Sequence, residues 1–356
     1  MIPVSRPYFD ERETAAVNEV FKSGWIGMGP KTEEFEYAFA KAAGVKYAVA
    51  LNSCSSALHI AGLLLGVNPG EEVIVPAMTF IATACAVRCF QATPVICDVI
   101  PSTLLIDPQD AESRITHRTK AVFPVMWAGQ PDEYQSSKLP IVYDCAQAVV
   151  GSFDASNKTC CWSFQAVKNL STGDGGMITT DNEEFYKKAR SLRWFGINRS
   201  TWERTEGNTS YSWDFDLDGP GFKYHMNDIA AAIGLVQLNK LEEMQAMRKS
   251  LYEHYHSRLF GKIEFIPSRV DKSSLYNFVV RTDHRDELFD YLKSRGICSV
   301  VHHKPVHLFH GFETNHTLPV IDKEWRRVLS LPFFCGLTEE NVDEICDAVI
   351  SFQGNK

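Results

Sequence analysis

The chain has 356 residues, 45% hydrophobic and 22% charged, enough to bury a full core and to divide into a large and a smaller domain. Its net charge of -8 argues against a nucleic-acid binder, which needs a basic face. No apolar run approaches the roughly 18 residues of a membrane span, and the start MIPVSRPYFDERE lacks a charged head followed by an apolar stretch, so a cytoplasmic protein without membrane contact is expected.

Apolar β-type runs alternate with helical segments through the first half. YAVAL (47–51) precedes SSALHIAGLLLG, and EVIVP (72–76) precedes TFIATACAVRCF. TPVICDV, KAVFPV (120–125) and LPIVYD (139–144) follow. Nearly continuous apolar strands separated by helices predict an α/β fold with a mostly parallel sheet covered by helices on both faces. A helix-like stretch over 226–259 has Ile229, Ile233, Val236, Leu241 and Met244 at helical spacing and reads as the connection between domains. NFVVRT, DELFDYLKSRG, ICSVVHH and a last helix after Leu337 predict a small C-terminal α+β domain. The division is placed at 1–245, a large domain with an N-terminal arm, and 246–356.

Cys97, Cys145, Cys160 and Cys161 lie in apolar strand-like runs and read as buried hydrophobes. The chain has no CxxC pair or zinc-type spacing, so no metal is expected.

In parallel sheets, ligands gather beyond the carboxyl ends of strands, so the residues there carry the functional reading. Asp144 closes LPIVYD, either as a helix cap or as a buried carboxylate that keeps a heteroaromatic nitrogen protonated; Gln147 follows three residues on. Asn52 to Ser56 open an apolar helix, as a plain serine cap or as a phosphate site of free N–H groups and hydroxyls. Phe80 follows EVIVP and either stacks on a flat ring or packs in the core. Lys168 sits in SFQAVKNLSTGDGGM, and the glycines from Gly173 to Gly176 read as the turn into the strand GMITT. A lysine amine, a carboxylate for a ring nitrogen, an aromatic platform and a phosphate-binding helix start together describe a site for pyridoxal 5'-phosphate.

VPAMTFIATA, DCAQA, SFQAVKNLSTGDGGM, LRWFG, GFKYHMNDIAAAIGLVQL and VHHKPVH, spread over almost the whole chain, resemble the DegT/StrS family of sugar aminotransferases, which have the fold-type-I aminotransferase architecture. The resemblance implies that Lys168 is the Schiff-base residue and proton shuttle. It implies that Asp144 and Gln147 serve the pyridine nitrogen and the ring face or phenolic oxygen, that Phe80 stacks on the ring, and that Ser163 joins the phosphate site. Cys54 and Ser55 stand where the family has Gly-Thr, whose backbone N–H groups bind phosphate. Lys223 stands where a family asparagine is offered to the neighbouring subunit's phosphate, which implies a homodimer with shared active sites. Gln165 replaces a family histidine, and the segments on either side of LPIVYD are short. His302 and His307 match histidines near the substrate cleft, with packing of the small domain as the alternative role.

The opening SGWIGMGP resembles the SGWxSTGP of family members that aminate C4 of a nucleotide-linked 4-keto-6-deoxy sugar, with glutamate the usual donor, in amino-sugar synthesis for O-antigens and other glycans. Amination at C3 is the alternative. A dehydratase relative has histidine where this chain has Lys168, and a non-catalytic homologue that binds the cofactor is the remaining rival.

Overall fold

The structure, a computed structural model, describes residues 1–136, 138–197 and 215–354. Two helices lead in, α1 (Glu11–Ser23) and α2 (Pro30–Ala43). A capping box between Asp10 and Glu13 starts α1, and Gly24 at φ 71° ends it. The start of α2 has no side-chain cap of its own. Buried Asp228 supplies it, accepting from the N–H groups of Gly29, Lys31 and Thr32 at 2.8, 3.1 and 3.0 Å.

The chain continues through β1 (Tyr47–Leu51), α3 (Cys54–Leu64), β2 (Glu72–Pro76), α4 (Ala82–Cys89), β3 (Thr93–Cys97), α5 (Pro108–Ser113), β4 (Thr119–Val122), β5 (Val142–Cys145), β6 (Thr159–Ser163), β7 (Gly176–Thr180) and α6 (Glu183–Leu192). Strands β3, β2 and β4 pair in parallel, as do β5 and β6. Single parallel bridges, Val122 to Ile141 and Val125 to Asp144, join these two groups. Strand β7 runs antiparallel to β6, and β1 antiparallel to β7. The spatial order is β3-β2-β4-β5-β6-β7-β1. Every residue of β2 and β7 is buried, because helices cover both faces of the sheet. On one face α3 and α4 pack through Leu58, Ile60 and Val87. On the other, α2 brings Phe35 and Phe39 against Trp162 and Phe164. The mostly parallel, helix-covered sheet expected from the apolar runs is the fold observed.

Beyond the sheet, α7 (Asp228–Asn239) and α8 (Leu241–Leu259) replace the single helix expected over 226–259. The break falls at Lys240, whose buried ammonium pairs with Glu13 at 2.6 Å and Asp10 at 3.2 Å; those carboxylates sit on the start of α1. Apolar periodicity runs straight through this position and carries no signal of the break. Along α8, Leu241 and Met244 join the core of the main sheet, whereas Leu251, Tyr252, Tyr255 and Leu259 join a separate core. That second core surrounds an antiparallel sheet of β8 (Glu264–Phe265), β9 (Phe278–Arg281) and β10 (Val328–Leu331) and takes in α9 (Arg285–Ser294) and α11 (Glu339–Gly354), whereas α10 (Pro319–Glu324) packs Ile321 into the core of the main sheet. ICSVVHH, one of the runs behind the expected small α+β domain, pairs through the single bridges Ile2 to Ile297 and Val300 to Ser330.

Candidate active site

The carboxyl ends of the central strands open onto a cavity of about 460 Å³ lined by Cys54, Ser55, Phe80, Asp144, Gln147 and Lys168, with residues of the C-terminal region closing it. At the end of β1, Ser53 caps α3, its Oγ accepting from Ser56 N–H at 3.1 Å. The N–H groups of Cys54 and Ser55 have no acceptor among the described residues, and as the first donors of a helix they attract an anion. Gly176, at the start of β7, passes directly beneath this turn. A Cβ there would lie 2.3 Å from the carbonyl carbon and oxygen of Ser53 and 2.5 Å from Cys54 N. Glycine is therefore what lets the strand run under the helix start.

Asp144 lies inside β5 and is buried. Its Oδ2 accepts from Thr83 Oγ1 at 2.7 Å and its Oδ1 from Ala146 N–H at 3.0 Å. No helix follows it, so the alternative of a helix cap falls away. Burial pushes its carboxyl above the ordinary range, while Thr83, the Ala146 N–H and Lys168 pull it back. A carboxylate held in this way gains most from a cationic partner. Cys54 Sγ faces it at 4.0 Å, and burial, reinforced by Asp144, keeps that thiol protonated.

Lys168 sits in the turn between β6 and β7, anchored by its N–H to Gln165 O at 2.9 Å. Its Nζ is 3.5 Å from Tyr276 Oη and 5.0 Å from the centre of that ring, and among the described residues it makes no ion pair. Gly173, at φ 86°, makes the turn that leads to β7, as the glycine run predicts. Ser163 ends β6 on the cavity wall, with Gln165 N–H 3.5 Å from its Oγ. Gln165 also lines the cavity, exposed, its Oε1 accepting from Val167 N–H at 3.1 Å.

Phe80 is 57% exposed at the cavity rim, which rules out the core-packing alternative and leaves a flat apolar face free for a ring. Gln147 is buried; its Oε1 accepts from Ala128 N–H at 2.7 Å and its Nε2 lies 3.0 Å from His303 Nε2. The His302 and His303 rings meet edge to face at 5.2 Å. Burial and Lys168 lower His302 to about 4, and burial, His302 and Lys168 lower His303 to about 3, so both are neutral at pH 7.

The structure thus brings Lys168, Asp144, Gln147, Phe80, Ser163, Cys54, Ser55 and His302 into one cavity. His307 is not on its wall; its Nε2 pairs with Asp322 at 2.9 Å. Lys223 lies away from it as well, exposed, with Nζ 5.6 Å from the Trp194 ring. Sequence reasoning missed Thr83, Tyr276 and His303. His303 had a signal in the paired histidines of VVHHKPVH, whereas Tyr276 reaches Lys168 only through tertiary packing.

The donor set suits one kind of ligand. Unpartnered helix-start N–H groups suit a phosphate, an exposed aromatic face suits a flat ring, a buried carboxylate suits a protonated ring nitrogen, and an unpaired lysine amine suits a carbonyl carbon. Pyridoxal 5'-phosphate carries all four groups.

Comparison with known proteins agrees. Residues 7–350 match the profile of the DegT/DnrJ/EryC1/StrS aminotransferase family. Among solved structures, the chain is 29% identical to a protein described as a candidate sugar aminotransferase, Spr1654 from Streptococcus pneumoniae in its PMP form, with a TM-score of 0.91 over 100% of both chains. It is 32% identical to the aminotransferase TlmJ from Streptoalloteichus hindustanus, with a TM-score of 0.90 over 100% of this chain and 99% of that one. It is 31% identical to DesV from S. venezuelae, solved in complex with a ketimine intermediate, with a TM-score of 0.86 over 99% of each chain.

Proposed function

The chain belongs to the DegT/DnrJ/EryC1/StrS aminotransferase family and is a pyridoxal-phosphate-dependent sugar aminotransferase, and from that premise we propose that it moves an amino group from L-glutamate to C4 of a nucleotide-linked 4-keto-6-deoxyhexose. The observation that carries the site assignment is the convergence of Lys168, Asp144, Phe80 and the start of α3 on one cavity. Bound there, pyridoxal phosphate supplies an electron sink for the carbanion left when the amino donor loses its α-proton.

The chain's own residues do the rest. Lys168 Nζ would hold the cofactor through its carbonyl carbon, and the same amine, when free, would carry the proton away from the donor's α-carbon. Tyr276 Oη orients that amine. Asp144 keeps the ring nitrogen protonated, with Thr83 and Ala146 fixing the carboxylate. The N–H groups of Cys54 and Ser55, with the Ser55 and Ser163 hydroxyls, bind the phosphate. Gln147 has one amide hydrogen left after meeting His303, and it donates that to the phenolic oxygen. Phe80 stacks on the ring, and His302 lines the substrate side. His307, held by Asp322, supports the small domain instead.

Amination at C4 rather than C3 is supported by SGWIGMGP. This segment docks on the stretch after GFKYHM, with Asp228 N–H donating to Gly27 O at 2.9 Å and the Asp228 carboxylate capping α2. Ile26 and Lys223 within these two motifs, Leu217 just before the second, and Phe195, whose N–H donates to Phe222 O at 2.9 Å, are exposed, which supports a homodimer in which Lys223 reaches the partner's phosphate site. The change of core along α8 supports a large domain of 1–245 and a small one of 246–356. The same reading places the protein in the cytoplasm, making amino sugars for surface glycans. A screen of GDP-, dTDP- and UDP-linked 4-keto and 3-keto sugars with glutamate, with product NMR, tests it: a 4-amino sugar is expected, and a 3-amino product would overturn the C4 assignment.

A further inference from the structure

We propose that His303 is a specificity-determining residue for the sugar half-reaction, locked by Gln147 in its neutral Nδ1–H form so that this N–H donates to an uncharged oxygen of the sugar. The ligand side of this proposal rests on the function proposed above; the locked tautomer does not.

A backbone N–H can only donate, so the 2.7 Å contact from Ala128 N identifies the Gln147 atom there as the oxygen. The other end of the amide is then its NH₂, facing His303 Nε2 at 3.0 Å. An N–H there would meet a second donor, so the imidazole must accept at Nε2 and hold its proton on Nδ1. The lock is built into the backbone. Ala128 adopts φ 58°, a left-handed conformation unusual for alanine, beside Gly129 at φ 77°. A Cβ on Gly129 would come within 3.0 Å of Gln147 O, the Ser274 Cβ and Tyr276 N. The tight turn thus aims the Ala128 N–H at Gln147.

His303 Nδ1 has no partner among the described residues, and it is not one of their buried, unsatisfied polar atoms. Its ring lines the cavity, 5.4 Å from the ring of exposed Phe80. The other titratable groups beside it, His302 and Lys168, both disfavour an imidazolium. A neutral N–H beside an apolar face matches a hydroxyl or carbonyl oxygen of a sugar, whereas the carboxylate of an amino-acid donor calls for a cation.

Two measurements test this. In ¹⁵N-labelled protein without added cofactor at pH 7, side-chain NMR should show His303 with a bare Nε2 and a protonated Nδ1, its signals assigned by their loss in His303→Phe. Gln147→Glu, which puts an acceptor opposite Nε2, should move the proton to that nitrogen. An Nε2–H in the wild type overturns the lock. In single-turnover assays of loaded protein, His303→Phe should keep the visible band and lose kcat/KM for the keto sugar by about three- to tenfold, the scale of one neutral hydrogen bond. The glutamate half-reaction should be spared, and His303→Gln, which restores an N–H donor, should recover part of the loss. Equal losses in both half-reactions, or none in the sugar half, would overturn the specificity role. A wild type without a visible band would instead count against the Lys168 assignment, leaving the NMR result to stand.

Discussion

Replacing Gly176 with alanine tests the phosphate site through its scaffold, leaving every proposed contact residue in place. The new Cβ would sit 2.3 Å from the Ser53 carbonyl and 2.5 Å from Cys54 N. Ordinary carbon contacts begin near ~3.5 Å, so strand and helix start must separate by roughly 1 Å. Gly176 is paired with Leu51 on one side and Ser163 on the other, so the sheet resists and the first turn of α3 gives way. Overpacking of this kind costs about 1–3 kcal/mol, and a displacement of about 1 Å in positioned groups weakens function by on the order of 10²-fold. Absorbance titration should therefore show pyridoxal phosphate binding weaker by up to about 10²-fold, together with a lowered melting temperature. Gly173→Ala is the control: at φ 86° with no atom within 4 Å, it strains the turn without touching α3. Its cost should be about 1 kcal/mol in stability, with affinity near wild type. Wild-type affinity in Gly176→Ala would refute the placement of the phosphate at the start of α3.

Asp144→Asn should retain the cofactor and slow transamination by about 10²-fold, the scale of a charge-assisted hydrogen bond; turnover near wild type would remove the electron-sink role. Tyr276→Phe should lower kcat about three- to tenfold with KM for glutamate unchanged, as expected for a group that orients the Lys168 amine through one hydrogen bond; an unchanged kcat would dismiss Tyr276. Buried Asp132, with Oδ2 unpartnered, is raised to about 7 by burial. Its unfolded value is near ~4, so the folded state holds a proton that the unfolded state has lost across that window. Stability is therefore fully present below about pH 4 and falls as pH rises towards 7, by at most ~1.4 kcal/mol per unit. Denaturant unfolding at pH 5 and pH 8 should show this loss in the wild type and a smaller one in Asp132→Asn; an identical loss in the variant would clear Asp132.

Strands β1 and β2 were legible to the residue, because a strand buried on both faces reads as an unbroken apolar run bounded by polar or turn residues. The same logic led to Asp144, Phe80 and Ser55, each at or close behind such a run, and Lys168 took its reading from those three. Gly176 was legible as part of a turn, but its nearness to Ser53 was not, since chain spacing says nothing of which helix start lies above a strand. The break at Lys240 was hidden because apolar spacing runs through it, and the partners its buried ammonium meets there lie over two hundred positions earlier. Tyr276 escaped for a related reason: it comes from the C-terminal part of the chain, and no local pattern says that it will face a cavity built by the first half, whereas His303 stood beside His302 in VVHHKPVH and was passed over. The pairing of His302 with the cavity and of His307 with Asp322 separates two histidines that the sequence presents alike.

The proposed role of Lys168, covalent and proton-transfer chemistry in a sugar aminotransferase, is open to direct test. Pure loaded protein, scanned before and after glutamate and then after a nucleotide-linked 4-keto sugar, tests it alongside Lys168→Ala. A visible band is expected that glutamate shifts into the near ultraviolet and the keto sugar restores, with neither the starting band nor the cycle in Lys168→Ala. A band and a full cycle that persist in Lys168→Ala would contradict it.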